Sequence, residues 1–360
     1  MASACAASIP GLPKYRVMSR FAPSEKPGMP GPFPGQAVRV HSEKSVDTAT
    51  HQVNQRVGGE MLSRGMRSLT GAKHERDAWA NFFNADDVVG IKVNCSGAPN
   101  IFSAREVVGS IVRNLTALGI PAGRIYIYER FRDQLTSVHY DRVLPVGINI
   151  FAAEGTRGSS ASYDPKTYVE TNFFGEDDTR SNMIRLVTER FTKIINVPNM
   201  KDHGAAGVTG CLKNIAYGDF SNVARSHSRE KTNTLSFIGT LASVEPLRSR
   251  TVLQIMDGLR GVWHGGPFSE NPKFRFYPKT IVFGTDPVAI DRLLLDVIEN
   301  KRKAEGALSI WDRSMGAIKP GSKDPRFNNF IREPGHIEFA GRMGLGVYDL
   351  SQIAVTEIEV

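Results

Sequence analysis

Cysteine is scarce in this chain. Of its 360 residues only Cys5, Cys95 and Cys211 are thiols. No two stand in the C-x-x-C spacing of zinc or iron–sulfur sites, and three cannot build a disulfide framework. Long apolar runs are missing as well. Nothing in the body of the chain reaches the ~18 continuous apolar residues that a membrane helix needs. The N-terminus holds neither an apolar core of signal-peptide length nor a twin arginine. The expected location is therefore the cytoplasm, or the periplasm if an export signal has been removed upstream. No basic stripe with interleaved aromatics is present, so nucleic acid is not an expected partner.

What is present is ordinary in bulk. Hydrophobic residues make up 41% and charged residues 23%, the balance of a globular protein with a large core. Lys and Arg outnumber Asp and Glu by 45 to 37, a net charge of +8 that leans toward acidic ligands. Residues 1–36, with Pro27-Gly-Met-Pro-Gly-Pro-Phe-Pro-Gly35, read as a flexible arm or an extended lead-in. Residues 37–360 read as a single α/β domain, with division into two lobes as the alternative.

Local patterns alternate between strand and helix. Strands are expected at 37–41, 86–94, 124–128, 147–151, 193–197, 251–256, 280–283 and 353–360, the last as an edge strand. Helices are expected at 57–69, 73–83, 103–118, 180–191, 234–247 and 286–304. Ser103 with Glu106 three residues on reads as a capping box, and Asp286 before Pro287 as an N-cap. Residues 154–180 read as an excursion with a hairpin. The expected architecture is a central, mainly parallel sheet with helices on both faces.

The chemistry concentrates in Asn196-Val-Pro-Asn-Met-Lys-Asp-His-Gly-Ala-Ala-Gly-Val-Thr-Gly-Cys-Leu-Lys-Asn214. Gly204, Gly207 and Gly210 allow a close approach of ligand or backbone. The segment follows a strand that stops at Pro198, and open α/β sheets place ligands at strand ends. It lacks the Gly-Lys-Ser/Thr ending of a P-loop. Lys213, set among Cys211, Leu212, Ile215 and Ala216, is expected to be desolvated and so to act as nucleophile, anchor or electrostatic clamp. His203 is the expected proton-transfer group. Lys201, Gly207, Thr209, Gly210 and Asn214 are expected to bind substrate, and Cys211 to fill core. Arg225 and His227 are placed to close the same site, with a surface loop as the alternative.

A second constellation is Met256-Asp-Gly-Leu-Arg-Gly-Val-Trp-His-Gly-Gly-Pro267. It offers Asp257 at a strand end, to orient His203 or bind a cation, and Arg260 for substrate. Asn94-Cys-Ser-Gly97 would form a third lip.

These motifs carry a resemblance. Lys201-x-His203, Gly207-Val-Thr-Gly-x-Leu-Lys-Asn214, Asp257-Gly-x-x-Gly261, Gly265-Gly-Pro267 and Gly284-Thr-Asp-Pro-Val-Ala-Ile-Asp291, in that order, resemble the bacterial and archaeal family catalogued as domain of unknown function 362. The resemblance covers roughly residues 85–300. Some relatives carry ferredoxin-like cysteine clusters, which this chain lacks, and some carry export signals. A second, weaker similarity is to nickel-pincer lactate racemase, where a His and a cofactor-tethering Lys flank a similar Gly-rich run. It implies an acid/base role for His203 and an anchoring role for Lys213. The intervening residues differ, Cys211 stands where a small residue is found, and only His139 and His227 offer themselves as a second catalytic histidine.

The combined expectation is an enzyme acting on a small anionic substrate at a Gly-rich strand-end cleft. The sequence names no metal or cofactor but leaves room for one. The alternative is a non-catalytic anion- or metal-binding protein.

Overall fold

Valine and isoleucine crowd residues 89–93, 193–197 and 251–256, the composition of strands buried on both faces. In a computed structural model, which describes residues 11–155, 160–227, 232–329 and 331–360, these segments form the middle of an eleven-stranded sheet. Residues 1–10 of the expected arm, with Cys5, and 156–159 of the expected excursion lie outside the described residues.

The strands are β1 (Arg16–Met18), β2 (Gln36–His41), β3 (Val89–Val93), β4 (Ile125–Phe131), β5 (Asn149–Glu154), β6 (Tyr163–Glu170) and β7 (Arg180–Ile184). They continue as β8 (Lys193–Val197), β9 (Asn199–His203), β10 (Gly207–Thr209), β11 (Thr251–Val262), β12 (Arg275–Phe276), β13 (Thr280–Gly284) and β14 (Ala354–Glu359). The helices are α1 (Gln55–Thr70), α2 (Glu75–Ala80), α3 (Arg105–Ala117), α4 (Arg132–Val138) and α5 (Arg185–Glu189). After them come α6 (Cys211–Asp219), α7 (Thr234–Ala242), α8 (Leu247–Arg250), α9 (Pro287–Ala304) and α10 (His336–Arg342).

The main sheet runs β14-β2-β13-β11-β8-β3-β4-β5. On this path only the pairings of β13 with β2 and β11 are antiparallel. The sheet is therefore mixed but mainly parallel, and β3-α3-β4 is a parallel βαβ unit. Apolar clusters cover both faces. One gathers Met61, Trp79, Ile111 and Leu135 from α1 to α4. The other gathers Leu212, Phe237, Leu294 and Ile337 from α6, α7, α9 and α10. The fold is α/β. No helix among the described residues is long and apolar enough to cross a membrane.

Several local expectations are corrected. Residues 180–191 are not one helix. Residues 180–184 form β7, whose inward Ser181 and Met183 alternate with outward neighbours and pair with β6, and only then does the chain coil. The lead-in from residue 11 is laid against the body: β1 pairs with β6, and Met29 is fully buried. Ser103 does not cap α3. Its hydroxyl bonds the Val197 carbonyl at 2.6 Å and the Asn94 N–H at 2.8 Å, which ties the helix entry to two strand ends instead.

The largest correction concerns β11. It does not end at Asp257 but runs on to Val262, buried throughout. Pro198 breaks β8, yet the chain resumes as β9 in the same direction, and β9 gives the extra residues of β11 a partner. Asp257 therefore sits within a strand. Its carboxylate accepts from the N–H of Ala104 at 2.6 Å and of Leu259 at 3.0 Å.

Helix α6 has all nine residues buried, so its first-turn amides need protein partners. Asp291, reaching across from α9, accepts from Cys211 N–H at 2.5 Å and Leu212 N–H at 2.9 Å. Asp286 caps its own helix through Ala289 N–H at 2.9 Å. Gly210 is needed because a Cβ there would run into the Asp291 carboxylate. Asp291→Ala is expected to lower the unfolding free energy by about 1–2 kcal/mol. Gly210→Ala should cost about 1–3 kcal/mol through overpacking. Because the second change clashes with the group the first removes, the double variant should cost less than the sum. Urea denaturation of the three variants measures this, and strict additivity would refute the contact.

Candidate functional site

The carboxyl ends of β3 and β4, the β9–β10 hairpin and the loop after β11 enclose a cleft of about 530 Å³. The first turns of α6 close it from one side. Of the expected residues, His203, Thr209, Lys213, Asn214 and His227 line it, together with Gly204. Asn94 and Ser96 form the expected third lip, and His264 to Pro267 supply the wall after β11.

Lys213 is 7% exposed and has no carboxylate partner among the described residues. Its ammonium lies over the Tyr217 ring, 4.2 Å from the centroid. Burial, with the nearby Arg130 guanidinium, pushes its pKa down to about 7. At neutral pH it is divided between ammonium and free amine.

The two histidines of the cleft hold opposite tautomers. His203 Nδ1 accepts from the N–H groups of Ala205 and Ala206, both at 3.1 Å, so its neutral ring carries the proton on Nε2. His227 Nδ1 faces the Ala224 carbonyl at 3.1 Å and must donate, which leaves its Nε2 a lone pair without a partner among the described residues. The ring centroids are 5.1 Å apart. Burial first, then the Lys213 charge, pushes His227 down to about 3, and the same causes hold His203 well below the ordinary histidine value. Both rings are neutral across the physiological range, one a donor and the other an acceptor. Thr209 Oγ1, at the end of β10, is also buried without a partner among the described residues.

The remaining charges are paired. Lys92 Nζ meets Glu129 at 2.8 Å, and Arg130 meets Glu154 at 2.7 Å. Asp202 does not orient His203. It is bound by Arg332 and stands 3.9 Å from Arg302, one carboxylate against two guanidiniums. Burial favours its neutral form, but those two cations hold its pKa below the ordinary value.

Other expected residues lie elsewhere. Lys201 is fully buried behind the wall, where it donates to Asn94 Oδ1 at 2.7 Å, the Ile101 carbonyl at 3.3 Å and Ser96 Oγ at 3.4 Å. Burial lowers its pKa to about 7. Asp257 does not line the cleft, and burial raises it to about 6 against its two backbone donors. Gly207, at φ +80°, turns the chain against Pro334. Gly210 accommodates Asp291. Arg225 is tied to Glu176 at 2.6 Å and to the Thr171 and Thr179 carbonyls, away from the cleft lining. Arg260 lines a different cavity. His139 is at the exposed end of α4, outside the cleft. Cys211 is fully buried in the core.

Sequence reasoning missed Lys92, Glu129, Arg130 and Arg332. A lysine inside the apolar run 89–93 was a readable signal, since a lysine so deeply buried is seldom left without a partner. Arg332 had none, because its segment lies 130 residues from Asp202. Among the described residues, no cluster of three or more His, Cys, Asp or Glu side chains is arranged to hold a metal.

Comparison with known proteins adds the following. No curated protein matches. A solved structure from Thermotoga maritima, determined by the Northeast Structural Genomics Consortium, is similar at 11% identity and a TM-score of 0.36 over 69% of this chain. The alignment spans 59% of that protein's length. Residues 89–296, more than half of the chain, match the family described as Domain of unknown function (DUF362). That span holds every motif from Asn94 to Asp291 that builds the cleft and its supports, and the chain belongs to the DUF362 family.

Proposed function

We propose that the cleft is the active site of an enzyme acting on a small anionic substrate. One observation carries this reading: the unsatisfied polar groups of the wall are donors, with a single acceptor among them. Among the described residues, Lys213 Nζ, His203 Nε2–H and Thr209 Oγ1 have no hydrogen-bond partner, and the two carboxylates that line the cleft, Glu129 and Asp202, are already paired. A negatively charged substrate group offers acceptors to these donors. The cleft also exposes Tyr217, Phe131 and Phe268, so the substrate has an apolar part.

The roles follow from protonation state. The ammonium form of Lys213 attracts the anion, and its amine form is a base or nucleophile. His203 cannot take a proton at Nδ1 without breaking two backbone hydrogen bonds. It acts as a fixed neutral donor to an oxygen on which charge develops. His227 Nε2 is the lone pair that can accept a hydrogen bond from the substrate. This revises His203 from proton-transfer group to fixed hydrogen-bond donor and gives the accepting role to His227.

A second reading is supported by His227 standing beside His203. A lysine tethering a cofactor, with two histidines near it, is what the weaker similarity to lactate racemase implies. Intact mass of protein from its native host distinguishes the two: a mass excess mapping to Lys213 favours the tether, an unmodified chain the free lysine.

Two further outcomes are expected. Lys213→Met removes a buried, unpaired cation, so the unfolding free energy should hold or rise while binding of small carboxylates is lost. Binding that depends on the Lys213 ammonium should weaken as pH rises through about 7, because the charged form is the one being depleted. Between pH 6 and pH 8 the apparent Kd should rise about tenfold. Lys213→Arg should bind without that pH dependence. Calorimetric titration across pH checks both, and a pH-independent wild type would sink the role given to Lys213.

A further inference from the structure

A second cavity, of about 430 Å³, opens between α3, the end of β11 and the segment around residue 51. Arg105, Arg260 and Arg275 line it. None of the three has a carboxylate within ion-pairing distance among the described residues, although most other arginines of the chain do. Glu106 is the only acidic residue of the lining, so the cavity wall carries a surplus of two positive charges.

The arginines are held rather than free. Arg260 is 9% exposed, lies 4.8 Å over the Phe102 ring, and donates one weak bond, 3.3 Å, to the His51 carbonyl. Arg275 is braced by the Ser269 carbonyl through Nε at 3.0 Å and Nη2 at 2.8 Å. Those bonds fix the guanidinium planes and, with a long contact from Arg275 Nη2 to the Glu270 carbonyl at 3.5 Å, leave other N–H groups without acceptors among the described residues. A buried guanidinium short of acceptors is costly unless an anion supplies them. Beside them, His51 Nδ1 is hydrogen-bonded to the Tyr277 hydroxyl with the two ring planes 5° apart, and His51 itself holds a left-handed backbone at φ +62°.

We infer that this cavity is a second anion-binding site, separate from the Lys213 cleft, that takes a small phosphate-bearing molecule. Planar guanidiniums with paired donors match the oxygens of a phosphate group, and three of them suit more than one negative charge. The His51–Tyr277 pair provides a flat face beside it. The cleft and this cavity are lined by the same loop, Asn94 and Ser96 on one side and Pro99 to Phe102 on the other.

The test is calorimetric titration of the full chain with inorganic pyrophosphate, and with succinate as the carboxylate control. Wild type should bind pyrophosphate saturably, and Lys213→Met, whose carboxylate-binding cleft is disabled, should bind it more tightly than succinate. Arg260→Gln should weaken pyrophosphate about tenfold or more. Arg105→Gln and Arg275→Gln, at less buried positions, should weaken it in the same direction and keep the inference testable should Arg260→Gln fail to fold. Lys213→Met, which disables the other cleft, should leave pyrophosphate binding within about twofold of wild type. Absence of saturable pyrophosphate binding, equal or tighter binding of succinate by Lys213→Met, or loss in Lys213→Met with retention in the arginine variants would each overturn the assignment.

Discussion

A chain of buried side-chain amides holds the site together. Lys201 donates to Asn94, Asn94 to Asn214, Asn214 to Asn196, and Asn196 to Gln254, at distances from 2.7 to 3.0 Å. The members come from β9, the end of β3, α6, β8 and β11. Each is buried, so each broken link would leave a polar group with neither water nor partner. The network fixes how far α6 stands from the strand ends, and with it the position of Lys213 one residue before Asn214. Asn214 is thus on the cleft wall yet has its amide committed to structure. Lys201, similar in sequence terms to Lys213, differs because three acceptors surround it.

Much of the fold was readable because its central strands are buried on both faces. A β-branched run between turn residues has one stable environment, and β3, β8 and β13 occupy it. The same logic located Lys213, since a lysine among Cys211, Leu212, Ile215 and Ala216 has little water to reach. What could not be read was anything set by a partner distant in the chain. The length of β11 depends on β9 resuming after Pro198, which carries Asp257 into the strand interior and Arg260 to the wall of the other cavity. Arg225 resembled a substrate clamp until Glu176 was seen beside it. Residues 180–184 alternate weakly and become a strand only through pairing with β6.

The histidines show the limit in another form. Composition alone says that His203 titrates near neutrality. Its environment says otherwise, because two backbone amides occupy Nδ1 and burial disfavours the cation. The β9–β10 turn places Ala205 and Ala206 where their N–H groups can do this, so the Gly-rich hairpin sets the tautomer of the histidine at its start. The turn ending at His227 sets the opposite tautomer by offering a carbonyl. A donor and an acceptor are thereby presented side by side without either ring carrying charge.

Lys213 concentrates the unfavourable terms. It is the third residue of α6, where the helix dipole opposes a cation. It is buried, it faces Arg130, and the carboxylate at that helix end, Asp291, is engaged with backbone amides. Folding alone would favour an apolar residue there. All of these terms are relieved together by one event, either the arrival of an anion or the loss of a proton. A group whose strain is removed by ligand binding or deprotonation is poised for both, which is why Lys213, rather than the better-satisfied Lys201 or the fully paired Lys92, is the centre of the proposed chemistry.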